Sequence, residues 1–277
     1  SIERLAALFG AAGIPVLALK GPVFAERYHH TVSDRPSIDV DLLLRPDALP
    51  AALRLLREAG YTSDAEIEAA YLLAHSHHLH FDRAGEPQLE LHFRAYHGFG
   101  VSMPASALMD RAEPYVFNGR TPTLVASPED EVLYLCAHAA GHSFVRLLWL
   151  YDLKLVLLKR SVDWRLVRER SEAMGLAGAV AYAATLLERW LSVVGIPPLI
   201  KRRPSGARGW MADRLLPVAA VPSRRSSTDN LGGLLFTAML ADRASAAGRL
   251  VGHHVLRGAR RRIHRAAPRL APASWSA

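Results

Sequence analysis

The sequence predicts an α+β chain, with a mixed α/β front over residues 1–120 and a helical back over residues 121–277. Two observations carry this reading. Short apolar runs of strand length alternate with helical periodicity through the front, whereas from Ser127 onward the apolar period settles at about 3.6 residues. The length agrees, since 277 residues correspond to roughly two domains of ~100–200 residues each. Half of the chain is hydrophobic and 22% is charged, a globular composition that excludes wholesale disorder.

Residues 2–12 repeat apolar side chains at helical spacing and stop at Gly13. Residues 15–19 form an apolar run of strand length, after which Lys20-Gly21-Pro22 turns the chain. Pro22 suits a first helical turn, so a helix over 23–30 opens directly after the glycine. Residues 33–36 are a loop, 38–44 (IDVDLLL) a strand, and 46–59 a helix capped by Gly60. Strands over 77–82 and 88–94 are joined by Arg83-Ala84-Gly85-Glu86-Pro87, a hairpin signal. Residues 98–128, rich in Gly, Pro, Ser and Asn, read as a loop-bearing connection. Ser127-Pro128-Glu129-Asp130 has the form of an N-cap followed by proline and first-turn acids. Helices follow over 129–140, 143–159, 163–174 and 177–194, and no internal repeat is visible.

Charge is unevenly distributed. Residues 201–277 hold 15 Lys and Arg against three Asp and Glu, while residues 1–200 are mildly acidic. Such a back suggests an anionic partner, whether nucleic acid, a membrane surface or a phosphorylated substrate. The uncharged stretches 175–187 and 230–241 fall short of the ~20 residues a membrane span needs. The N-terminus lacks the charged-then-apolar layout of a secretory signal, and the single cysteine, Cys136, cannot form an internal disulfide. Both point to the cytoplasm. The first residue is Ser1 and not Met, as expected of a trimmed chain.

The chemistry gathers on Asp39-Val40-Asp41. Residues i and i+2 of a strand share a face, so both carboxylates project toward one place. Adjacent carboxylates repel unless a cation lies between them, and paired hard oxygen ligands suit Mg²⁺. Phosphoryl chemistry often uses two such ions, on the attacking and the leaving oxygen. Glu90, in Leu89-Glu90-Leu91, has the form of a third carboxylate from a neighbouring strand. Taken alone, Asp-x-Asp equally describes a solvated strand edge, but apolar neighbours flank each acid here. Lys20-Gly21 ends one strand and opens a helix, where backbone N–H groups and the helix N-terminus favour a phosphate.

Several separated pieces carry a resemblance. Leu17-Ala18-Leu19-Lys20-Gly21, Tyr28 and Arg35-Pro36-Ser37-Ile38-Asp39-Val40-Asp41-Leu42-Leu43 resemble the signature of the uncharacterised nucleotidyltransferase family within the DNA polymerase beta-like superfamily. Leu89-Glu90-Leu91-His92-Phe93 is similar to its acid-plus-His strand, and residues 133–142 with 146–152 to its helical segment bearing His and Asp. The resemblance implies a polymerase beta-like domain with a small mixed sheet, followed by a helical domain. It implies transfer of a nucleoside monophosphate from an NTP to an acceptor, with Asp39, Asp41 and Glu90 holding two Mg²⁺ ions and one of them helping to deprotonate the acceptor. It further implies that Lys20, Gly21, Arg35, His92, His138 and Asp152 serve the nucleotide. The chain departs from the superfamily in having Lys-Gly-Pro at the phosphate turn and Ile38 before the first Asp.

Other polar groups have plainer readings. His75, His77, His78, His80, His92 and His97 invite a zinc site, but strand alternation puts His78 and His80 on one face and His77 on the other. The metal is therefore assigned to the carboxylates, with His92, on the face of Glu90, as a substrate contact. His138 and His142 share a helical face yet lack the Glu of a metalloprotease motif. Trp149 and Tyr151 read as core. The arginines Arg260, Arg261, Arg262 and Arg265 read either as a polyanion contact for RNA or lipid or as a solvated helix face, and the scarcity of aromatics disfavours base stacking. A small molecule or peptide is thus the preferred acceptor. A tRNA acceptor, or a module that binds nucleotide or RNA without catalysis, is the alternative.

Overall fold

Helix α1 (Ile2–Ala11) turns Ile2, Leu5 and Phe9 to one side, and all three are buried. The computed structural model describes residues 2–63, 76–200, 206, 209–211, 214 and 231–242. His75 and the arginines at 260–265 lie outside the described residues.

The main sheet is built from β1 (Leu17–Ala18), β2 (Asp39–Leu43), β3 (His78–Phe81), β4 (Gln88–His92), β7 (Glu113–Phe117) and β8 (Thr121–Val125). The order is β3-β4-β2-β1-β8-β7; β2 runs parallel to β4 and β1 parallel to β8, while the other neighbours are antiparallel. This is the mixed sheet that the resemblance implies. Strands β5 (Arg94–Gly98) and β6 (Val101–Pro104) form a separate antiparallel ribbon. The 83–87 hairpin is formed as expected, whereas the 15–19 run contributes a ladder of only two residues.

The connection over 98–128 is not mainly loop. It holds β6, the short helix α4 (Ala105–Met109), β7 and β8. Its prolines masked the strands but are tolerated there. Pro114 lies on the edge strand β7, and Pro122 precedes the β8 ladder to β1, which begins at Leu124. The change from sheet to helix accordingly falls after Val125, a few residues beyond position 120.

Alternation in β2 sends Val40, Leu42 and Leu44 to a core shared with α1 and α3 (Leu49–Glu58), where Phe9 and Leu56 are fully buried. Each buried Leu or Phe in such a core contributes roughly 1.5–3 kcal/mol. Asp39, Asp41 and Leu43 face the other way. There Leu43 joins Phe24 and Tyr28 of α2 (Gly21–Tyr28) in a second core with the helical back. The back comprises α5 (Pro128–Gly141), α6 (Leu147–Lys159), α7 (Trp164–Met174), α8 (Ala177–Leu191) and α9 (Leu231–Leu240). Ser127 caps α5 as expected, accepting from the Asp130 backbone N–H. Helix α6 starts four residues later than the periodicity suggests, because Ser143 and Phe144 take left-handed φ values of 53° and 54°. Helix α9, unread in the sequence, places Phe236 against Tyr182 and Phe144, while Asp242 accepts from Ala177 and Gly178 at the start of α8. Among the described residues, no helix is long and apolar enough to cross a membrane.

Candidate active site

The parallel pairing of β2 with β4 sets Asp41 directly opposite Glu90 and Leu43 opposite His92. Leu89 and Leu91 enter the α1/α3 core, so Glu90 and His92 share the face of Asp39 and Asp41. Donor atoms of Asp41, Glu90 and His92 lie within 4.8 Å of one another. Asp39 stands outside that trio, at the start of β2, with its Oδ1 accepting from Ser37 Oγ at 2.8 Å.

Asp41 is wholly buried, and its Oδ1 meets Lys20 Nζ at 3.0 Å and His92 Nε2 at 3.2 Å. Its Oδ2 is buried with no hydrogen-bond partner. Burial alone raises a carboxyl pKa, but the Lys20 ammonium and His92 more than offset it and hold Asp41 below its usual value. Glu90 is likewise lowered, to about 2: burial opposes the charge, while His92 and Lys20 favour it. Lys20 and His92 respond in kind. Burial works against each cation, yet Asp41 and the neighbouring acids raise both pKa values. The site is therefore a group of paired charges held in place by β2, β4 and the N-terminus of α2.

Lys20 is the N-cap of α2, and Gly21 follows at φ +73°. A Cβ at Gly21 would stand 3.5 Å from the Asp39 carbonyl oxygen in a left-handed backbone. Gly21→Ala is expected to lower stability by about 1–2 kcal/mol, read as a drop in the urea midpoint at unchanged slope. An unchanged midpoint would mean that the turn relaxes out of its left-handed form.

Arg35 and Asp152, both expected to serve the nucleotide, are engaged with each other. Arg35 Nε donates to Asp152 Oδ1 and Oδ2 at 3.1 and 3.0 Å, and His29 Nε2 lies 2.9 Å from Oδ1. All three side chains are buried, so Asp152 joins α6 to the segment between α2 and β2. His138 lies on α5 between Tyr134 and His142, and its ring meets Trp149 edge-on with centroids 4.9 Å apart.

Sequence reasoning missed Tyr134. Tyr134 is buried on α5, and burial and then the field of Asp41, Glu90 and Asp39 raise its pKa well above the ordinary value. The signal was its spacing, since Tyr134, His138 and His142 repeat every four residues along one helical face. The histidine reading is also corrected. Donor atoms of His77, His78 and His92 lie within 4.8 Å of one another, as do those of His78, His80 and Glu90. Alternation failed because His77 lies at the bend before β3, where strand geometry does not govern it.

These imidazoles make stability depend on pH. Burial, first among the causes, lowers His77 to about 3 and His142 to about 4, and also lowers His78 and His138. A folded pKa below the unfolded value of about 6.5 lets the unfolded chain take up protons first. The stabilisation from the four neutral rings is thus full above that value and is lost as pH falls toward the folded values. His92, with its raised pKa, has the opposite dependence but is one ring against four. The urea midpoint is expected to fall steeply between about pH 6.5 and 4. A flat midpoint across that window would contradict the burial of these rings.

The mixed sheet thus presents facing carboxylates beside a Lys-Gly turn at a helix N-terminus. Residues 1–192 match the family described as uncharacterised nucleotidyltransferase, and the chain belongs to it. No curated protein matches the chain. Among solved structures it is similar to the antibiotic-resistance factor ANT(2'')-Ia in solution, at 15% identity and a TM-score of 0.44, covering 69% of this chain and 96% of that one. The crystal structure of ANT(2'')-Ia in complex with adenylyl-2''-tobramycin is similar at 14% identity and a TM-score of 0.42, covering 68% and 96%.

Proposed function

We propose that this nucleotidyltransferase moves a nucleoside monophosphate from an NTP to a small molecule or peptide in a Mg²⁺-dependent reaction. The observation that carries the reading is the register of Asp41 against Glu90 on parallel strands, with Asp39 on the same face and Lys20-Gly21 beside them. The donor set fits Mg²⁺. The ligands are hard carboxylate oxygens, and the buried Asp41 Oδ2 is an acceptor without a partner. Asp39, Asp41 and Glu90 would hold two ions, which when bound neutralise the charge on the triphosphate and on its leaving group.

The remaining work falls to the chain. The α2 N-terminus and the left-handed Gly21 let backbone N–H groups face phosphate oxygens. Lys20, paired with Asp41 here, supplies an ammonium that exchanges the carboxylate for a phosphate oxygen. One of the three carboxylates takes the acceptor's proton as the acceptor oxygen or nitrogen attacks the α-phosphorus. The α-phosphorus bond to the bridging oxygen breaks, and pyrophosphate leaves with that electron pair. His92 holds Asp41 in orientation through Nε2, and Arg35 is positioned by Asp152.

The test is transfer of α-labelled NTPs by the full chain with Mg²⁺ onto pools of hydroxylated metabolites, peptides and RNA. Label on a metabolite or peptide is the expected result. Label on RNA alone overturns the acceptor assignment, and NTP binding without label on any pool favours the non-catalytic reading.

A further inference from the structure

Beside the carboxylates, β3 and the bend before it bring His77 and His78, which the transfer reaction does not use, against His92 of β4. The ring centroids of His77, His78 and His92 are 4.4, 5.5 and 4.9 Å apart in the three pairings. One donor atom from each lies within 4.8 Å of the other two. His78 Nδ1 and His92 Nδ1 are buried and lack a hydrogen-bond partner. Buried polar atoms are ordinarily paired, so two such nitrogens on adjoining rings need an explanation.

His92 supplies part of it. Its Nε2 faces Asp41 Oδ1 at 3.2 Å and Glu90 Oε2 at 3.5 Å, leaving Nδ1 on the other edge of the ring. Metal-binding imidazoles are oriented in this way, with one nitrogen on a carboxylate and the other on the ion.

We propose that His77, His78 and His92 form a binding site for a transition-metal ion of the Zn²⁺ class, adjoining the carboxylate site through His92. Imidazoles select Zn²⁺-like ions and carboxylates select Mg²⁺, so neighbouring donor sets sort two kinds of ion. Zn–N bonds of about 2.0–2.1 Å put tetrahedral donors on the order of 3.3 Å apart, so the rings need to close by only a small movement. An ion there ties the bend before β3 to the end of β4 and holds His92 against Asp41. The inference goes beyond nucleotidyl transfer and does not rest on it.

Tag-free full-length protein titrated with Co²⁺ should develop the visible ligand-field bands of a four-coordinate ion at one equivalent, and Zn²⁺ should displace them. His77→Ala and His78→Ala should each weaken binding by more than about tenfold, as loss of a ligand costs at least as much as loss of its supporting partner. Asp39→Asn should leave binding unchanged, and His80→Ala, which removes the partner 3.2 Å from His78 Nε2, should weaken it less than loss of either ligand. X-ray absorption on the Zn²⁺-loaded wild type, which needs no variant to fold, should count three imidazoles. No ligand-field bands, fewer than three imidazoles, or binding abolished by His80→Ala but retained in His77→Ala would each overturn the site. The last result would move the ion to His78, His80 and Glu90. Since Co²⁺ binding is read without nucleotide, its failure leaves the transfer reaction standing, and the converse also holds.

Discussion

Asp39→Asn is expected to reduce nucleotidyl transfer by on the order of 10³-fold, the scale on which positioned charges and proton acceptors act in catalysis, with little change in stability. Asp39 is partly exposed at the start of β2, and the bond from Ser37 to its Oδ1 survives in the amide. Asp41→Asn is expected to lose transfer as well, but the two variants are not equivalent. Asp41 is fully buried against Lys20 and His92, so the amide leaves a buried ammonium with a weakened partner. Removing one member of a buried pair costs about 3–5 kcal/mol; Glu90 and Asp39 still act on Lys20, which places this variant toward the low end. Parallel measurement of transfer rate and urea midpoint separates the cases. Asp39→Asn should lose rate alone, Asp41→Asn both. Full transfer by Asp39→Asn would remove it from the metal-binding set.

Most of what frames the site was legible because it rests on local rules. Strand alternation put Asp39 and Asp41 on one face, and the Lys20-Gly21-Pro22 turn announced the start of α2. Glu90 was readable as a carboxylate from a neighbouring strand, but its parallel register against Asp41 was not, since no local pattern encodes which strands become neighbours or in what direction. Proline hid β7 and β8 because the penalty it carries in a sheet disappears on an edge and before a ladder begins. The pairing of Arg35 with Asp152 was illegible for another reason. Both residues were singled out by the resemblance, and nothing in either segment shows that they neutralise each other across 117 positions. The histidines gathered around His92 were lost when a strand rule was extended one residue ahead of the strand's start.

Asp152→Ala should be among the most destabilising single changes in the described chain, by about 3–5 kcal/mol. The carboxylate is completely buried, and Arg35 and His29 are nearly so, which leaves little solvent to screen the loss. Removing it abandons the Arg35 guanidinium beneath the surface, its contacts with the carboxylate gone, beside the Phe24 ring 5.2 Å away. The tie also spans the chain, joining the segment after α2 to helix α6 of the back. Loosening it should therefore reach the site through α2, whose N-terminus carries Lys20, and lower transfer far less than Asp39→Asn does. Equilibrium urea unfolding of Asp152→Ala and Asp152→Asn, alongside Arg35→Met and the Arg35→Met/Asp152→Leu pair, separates a net contribution from an abandoned charge. If the penalty is the abandoned charge, the double variant should recover much of the stability that Asp152→Ala loses, since replacing a buried pair by apolar groups is often neutral. A double variant no more stable than Asp152→Ala would instead make the pair a net stabiliser. A loss below about 1 kcal/mol in Asp152→Ala, the range of a solvated surface pair, would show that the carboxylate is not buried against Arg35 in solution.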